Sequence, residues 1–237
     1  MKRLGILGGM GPEAAIDLQY KVLRHTDART DQEHLPVVVW NVPQIPERSA
    51  AIFGHGPSPL PEMQAGVAAL QRLGAQCIAI ACNTAHHWYA ELQASVQIPV
   101  LHIADACCEM LGPGDRVGRV ALLSTRGTLA SGFYQQRLSA AGFDLRVPTG
   151  PQVEALARAI GCIKAGQYDQ AVACINPVVE DLCGQGVQRI ILACTELPLV
   201  MNRLAVREMC IDATEALAQA AVRACRPSVS RSGGERQ

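Results

Sequence analysis

Short apolar runs alternate along this chain with longer stretches in which apolar positions recur every three or four residues. The runs predict strands at Arg3 to Leu7, Val37 to Asn41, Cys77 to Ala81, Val100 to Ile103, Val117 to Leu123, Asp144 to Val147, Arg189 to Ala193 and Glu208 to Ile211. Val37-Val38-Val39-Trp40 and Ile190-Ile191-Leu192-Ala193 are apolar without a break. Strands buried on both faces of a parallel sheet have that composition, and so do fragments of buried helix. The periodic stretches predict helices at Pro12 to His25, Glu62 to Leu73, Ala85 to Ser95, Leu129 to Ala141, Val153 to Ala165, Asp169 to Cys183 and Ala213 to Ala224. Gly74, Gly142 and Gly184 bound several of them. Strand and helix in alternation predict an α/β fold of doubly wound parallel sheets.

The pattern occurs twice. Ile78-Ala79-Ile80-Ala81-Cys82-Asn83-Thr84 has a counterpart in Ile190-Ile191-Leu192-Ala193-Cys194-Thr195. Gly5 to Gly11 corresponds loosely to Ala121 to Gly127, and His102-Ile103-Ala104-Asp105-Ala106 to Cys210-Ile211-Asp212-Ala213. Similar offsets in the same order predict two pseudo-symmetric lobes with a cleft between them. The first lobe is expected to comprise residues 1–105 and 212–225, and the second residues 106–211. Pro113-Gly114-Asp115 would join them, and the Ser/Gly/Arg-rich tail 226–237 is expected to be disordered.

Composition narrows the function. With 237 residues, 49% hydrophobic and 18% charged, the chain can bury a sizeable core. Lys plus Arg and Asp plus Glu both number 21, so no basic surplus points to nucleic acid or an anionic membrane. The opening Met1-Lys2-Arg3 leads at once into a short Gly-rich run, which is not expected to act as a signal segment. No stretch has the length of a spanning helix. The ten cysteines include no C-x-x-C pair and no zinc spacing, so reduced thiols in a cytoplasmic protein are expected.

Gly9-Met10-Gly11-Pro12-Glu13-Ala14 matches the G-x-G-x-x-A dinucleotide pattern between a strand and a helix. The next strand, however, ends Trp40-Asn41-Val42-Pro43 and lacks the acidic residue that would hold a ribose. A tight turn with Pro12 at the first helical position accounts for the pattern, and its N–H groups would suit a carboxylate.

Cys82 and Cys194 carry more information. Each ends a buried strand and precedes a polar helix start, at equivalent places in the two lobes. Ligands of doubly wound sheets sit beyond the carboxyl ends of the strands. A thiol at a helix N-terminus there is expected to have its pKa drawn down toward working pH. Facing lobes would present two thiols to opposite sides of one carbon. Inverting a carbon centre by proton transfer needs a base on one face and an acid on the other, and two thiols supply both. Donors on the adjacent carboxylate would oppose the charge that builds up; Asn83, Thr84, Thr125 and Thr195 are placed for this, and Met10 to line the pocket. Glu196 is suited to orient Cys194 or bind an amine, and His86-His87 to tune the Cys82 thiol.

At Gly8-Gly9-Met10-Gly11-Pro12, Cys82-Asn83-Thr84-Ala85-His86 and Cys194-Thr195-Glu196 the chain resembles the aspartate racemase branch of the aspartate/glutamate racemase superfamily. The resemblance extends over about residues 3–225. It implies interconversion of L- and D-aspartate, no pyridoxal phosphate or other cofactor, no metal, and a homodimer. It also implies that Cys194 takes the proton from the L enantiomer and Cys82 from the D enantiomer. Arg48, after Ile45-Pro46-Glu47, and Lys164, near the end of a second-lobe helix, match cations of the family that would pair with the substrate's side-chain carboxylate. Ala15, Asn41 and Ala193 depart from the branch's usual residues, which leaves the choice between aspartate and glutamate open. Two other classes remain beside this reading: a dicarboxylate isomerase or decarboxylase of the same superfamily, and a two-lobe protein that binds a small anion without turning it over.

Overall fold

The computed structural model describes residues 1–113 and 118–226, so the expected 113–115 joint and the tail lie wholly or largely outside the described residues. Two parallel sheets form the frame. The first contains β1 (Leu4–Gly8), β2 (Val37–Asn41) and β3 (Cys77–Ile80) in the order β2-β1-β3. The second contains β4 (Arg119–Ser124), β5 (Asp144–Arg146), β6 (Arg189–Ala193) and β7 (Cys210–Asp212) in the order β5-β4-β6-β7. A bridge from Ile78 to Val100 adds to the first sheet what β7 adds to the second, so the lobes repeat one strand order. The fold is α/β, with two lobes of parallel sheet.

The helices are α1 (Pro12–His25), α2 (Arg48–Ile52), α3 (Leu60–Arg72), α4 (Tyr89–Ala94), α5 (Ile103–Leu111), α6 (Arg126–Ser131), α7 (Phe133–Ala140), α8 (Pro151–Lys164), α9 (Tyr168–Gly184) and α10 (Ala213–Cys225). Alternation along the strands sorts side chains into layers. Leu7, Ile78 and Ile80 pack outward under α3 and α4. Leu123, Ile190 and Leu192 pack outward under α8 and α9. Leu4, Ile6, Ala79, Val120, Leu122 and Ile191 share a central core with α1, α5, α7 and α10. The lobes are therefore joined through one hydrophobic layer. Lys21 of α1 reinforces it, bridging Asp17 at 2.6 Å and Asp212 at 2.5 Å. Asp212 in turn caps α10 through Thr214 N–H and Glu215 N–H.

Several expectations need correction. Val100 makes only a bridge, because α5 begins at Ile103 under the His102 cap. The helix expected at Leu129 to Ala141 is two helices, α6 and α7, broken at Gly132 with φ of 72°. The helix expected from Ala85 is a 3-10 segment, Thr84–Trp88, followed by the short α4. Arg207–Met209 forms a 3-10 turn before β7, so that strand starts later than Glu208. Among the described residues no helix is long and apolar enough to cross a membrane.

Candidate active site

Both sheets end in the same place. In each, the chain winds to opposite sides at the central strand, so the segments after β1 and β3 flank one crevice and those after β4 and β6 flank its counterpart. Cys82 follows β3 and Cys194 follows β6; both are buried, at 5% and 4% exposure. The turn after β1 closes tightly: Gly9 has φ of 93°, and a Cβ there would lie 2.1 Å from the Val42 carbonyl oxygen. Gly11 approaches the second lobe, where the nearest atom to its missing Cβ is Glu196 Oε1 at 3.8 Å. A carboxylate at that distance is a repulsive neighbour for a pyrophosphate, which counts against a dinucleotide on this turn.

Glu196 connects the site. Its Oε2 accepts from the Cys194 thiol at 2.9 Å and from the Thr195 hydroxyl at 3.2 Å, and its Oε1 lies 3.6 Å from Lys164 Nζ. Its charge also bears on Cys82. Burial pushes the Cys82 thiol up; the Arg48 guanidinium and the Ala85 N–H pull it back, and Glu196 pushes the same way as burial. Burial, then the charge and hydrogen bond of Glu196, hold Cys194 well above the ordinary thiol value, opposed by the Glu196 N–H and Lys164. The expected lowering is therefore overturned. The N–H donors act in the expected sense, but dehydration of two thiolates outweighs short 3-10 turns.

Arg48 opens α2, and Glu47 caps that helix by accepting the Ala50 N–H at 2.5 Å. The guanidinium is clamped: Nη1 donates to the carbonyls of Ile45 (3.2 Å) and Pro46 (3.0 Å), and Nη2 to that of Met10 (3.1 Å). It also donates toward Cys82, while Nε is buried without a partner in the hydrogen-bond network. Met10 contributes its carbonyl; its side chain sits in the core under α3. Lys164 is 56% exposed and lines two neighbouring clefts of about 660 and 290 Å³, which places the Lys164–Glu196 pair between them. Thr125 lines the larger cleft, and Thr195 and Glu196 the smaller.

The four expected donors differ in availability. Thr84 bonds Thr125 and Thr128 at 2.9 Å each, and Thr125 bonds Thr128 at 3.0 Å. Three hydroxyls in a closed ring use all three protons on one another, and the ring fastens the lobes together. Thr195 donates to Glu196. Asn83 accepts from Tyr134 through Oδ1 at 2.7 Å, while its Nδ2 is buried with no partner. His86 bonds the backbone and not the thiol: Nδ1 bonds the Cys82 carbonyl at 2.9 Å, and the ring lies tilted beside His102. His87 is exposed. Tyr134 and Thr128 escaped the sequence reading because each meets the site only across the lobe boundary, 51 and 44 residues from its partner.

A family model described as Asp/Glu/Hydantoin racemase matches residues 7–221. The broad specificity amino-acid racemase RacX of Bacillus subtilis (strain 168) is 26% identical over 227 residues, covering 92% of this chain and 96% of that protein. The structure of Picrophilus torridus aspartate racemase matches with a TM-score of 0.83 at 31% identity, covering 95% of this chain and 94% of that one. An aspartate racemase homologue from Pyrococcus horikoshii OT3 matches with a TM-score of 0.76 at 26% identity, covering 95% and 99%. The match spans both strand ends that carry Cys82 and Cys194: this chain belongs to the Asp/Glu/Hydantoin racemase family.

Proposed function

We propose that the chain is a cofactor-independent amino-acid racemase that interconverts L- and D-aspartate through Cys82 and Cys194. The observation that supports this most is the pair of buried thiols at equivalent strand ends, with one carboxylate, Glu196, acting on both. In the reaction a thiolate takes the Cα proton, breaking C–H and forming S–H. The electron pair left behind is held by the substrate carboxylate, and the opposite thiol delivers its own proton to the other face. The free unused donors beside Cys82 are Asn83 Nδ2 and Arg48 Nε, both suited to a carboxylate oxygen.

The two thiols are unequal. Burial raises both, but Cys82 faces a guanidinium and Cys194 a carboxylate, so Cys82 is the thiol that ionises more readily. With Cys82 as base toward D-aspartate and Cys194 toward L-aspartate, the more readily ionised thiol serves the D enantiomer. A wider substrate range is a second reading. It is favoured by the clamped Arg48 and the Glu196-paired Lys164, neither of which is a free cation for a second carboxylate. The broad specificity named for RacX, and glutamate racemases such as that of Corynebacterium diphtheriae at 28% identity over 174 residues, point the same way.

Deuterium uptake at Cα in D2O tests the reading, with each enantiomer of aspartate, glutamate and a set of neutral amino acids. Exchange and racemisation that survive chelator and hydroxylamine are expected, with aspartate fastest. Cys82→Ala and Cys194→Ala are each expected to abolish racemisation. Absence of exchange on every amino acid, or full racemisation by either variant, refutes it. A homodimer is the expected assembly, and sedimentation of the purified chain checks it.

A further inference from the structure

The amide of Asn83 can sit in its socket in two ways that have nearly the same shape. One offers two N–H donors to a ligand; the other offers an acceptor oxygen, which repels a carboxylate. Among the described residues no first-lobe hydrogen bond to the side-chain amide decides between them. The deciding contact comes from the second lobe, where the Tyr134 hydroxyl at the start of α7 donates to Asn83 Oδ1 at 2.7 Å. Tyr134 is fully buried, and its oxygen lies 3.7 Å from the Cys107 sulfur. A thiol hydrogen donated by Cys107 leaves the phenolic hydrogen for Asn83. Asn83 Nδ2 is left with both hydrogens unused and shut off from solvent. Such a donor is costly unless something fills it, and it adjoins Cys82.

We propose that Tyr134 is a positioning residue for racemisation: it locks the Asn83 amide so that Nδ2, and not Oδ1, meets the substrate carboxylate. The lock also makes donor presentation depend on lobe docking, since Tyr134 and Asn83 belong to different lobes. Burial keeps both Tyr134 and Cys107 protonated, so the phenol retains a hydrogen for Asn83 across the working pH range. This inference rests on the racemase reading and on Asn83 as a carboxylate donor.

The test is a double-mutant cycle with Tyr134→Phe and Asn83→Ala, read as kcat and KM for both enantiomers of aspartate per mole of folded protein. Tyr134→Phe keeps the ring in the core and removes only the hydroxyl. It is expected to lower kcat/KM by about 10- to 100-fold, a positioning loss smaller than or equal to that of an oxyanion donor. In the Asn83→Ala background the same change is expected to alter kcat/KM by less than about twofold, because there is no amide left to orient. A structural role would instead move the melting temperature and leave the kinetics of the folded fraction unchanged. Equal losses in the two backgrounds, or no loss in either, overturn the proposal while wild-type activity upholds the racemase reading. If the wild type exchanges no amino acid at all, both fall.

Discussion

Acid will unfold this protein through two histidines that the site does not use for chemistry. His86 and His102 are buried with ring centroids 4.9 Å apart, beside Phe133 and Tyr89. Burial pushes His86 down to about 4 and His102 down to about 2. The hydrogen bonds say why neither accepts a second proton. His102 Nδ1 receives the Ala104 N–H as the cap of α5, so that nitrogen must keep its lone pair. His86 uses Nδ1 on the Cys82 carbonyl and its Nε2 is buried without a hydrogen-bond partner, and burial outweighs the Cys82, Leu101 and Asn83 carbonyls that favour the charged ring. The unfolded chain, with ordinary histidines near 6.5, therefore binds protons first as the pH drops. The stabilisation is complete above about pH 6.5 and is lost on the way down to about pH 4 for His86 and about pH 2 for His102. At about 1.4 kcal/mol per pH unit for each group, moving from pH 7.5 to pH 5 removes about 2 kcal/mol per histidine and about 4 kcal/mol for both. That is a large share of a typical native stability of about 5–15 kcal/mol. Urea unfolding at pH 7.5, 6.5, 5.5 and 5 measures it. His102→Asn keeps a capping acceptor but does not titrate, so its loss over the same range is expected to be about 2 kcal/mol. A wild-type loss under about 1 kcal/mol, or an unchanged loss in His102→Asn, refutes the reasoning.

Two further outcomes follow from the ion pairs. Both thiols lie above their ordinary value, so wild-type kcat/KM is expected to keep rising with pH on the alkaline side as thiolate forms. Glu196→Gln removes a charge that raises both thiols, and is expected to move the rising limb to lower pH; an unmoved or alkaline-shifted limb contradicts the assignment. Lys21→Met leaves Asp212 buried without its counter-ion and is expected to cost about 3–5 kcal/mol in urea unfolding, and a cost under about 1 kcal/mol would show the pair to be dispensable.

Local chemistry made much of this protein legible from the chain alone. The five-residue runs Val37–Asn41 and Arg189–Ala193 came out at their true bounds, because an unbroken apolar stretch flanked by polar or turn residues marks a strand whether it is half-buried, as the first is, or buried, as most of the second is. Repetition disclosed the two lobes, since the same strand-and-turn unit recurs around Cys82 and Cys194. Boundaries that hang on one glycine or a distant neighbour did not show: the break at Gly132 needs a positive φ, and Val100 is stopped by α5. The site divides in the same way. Residue type marked the two thiols and the cations as candidates. Only the folded arrangement decided that Arg48 is tied to three carbonyls, that Thr84, Thr125 and Thr128 consume one another's protons, and that Tyr134 bonds Asn83. Hydrogen-bond capacity and dehydration depend on what surrounds a group in space. A linear sequence names the group, and packing between lobes determines whether its proton is free.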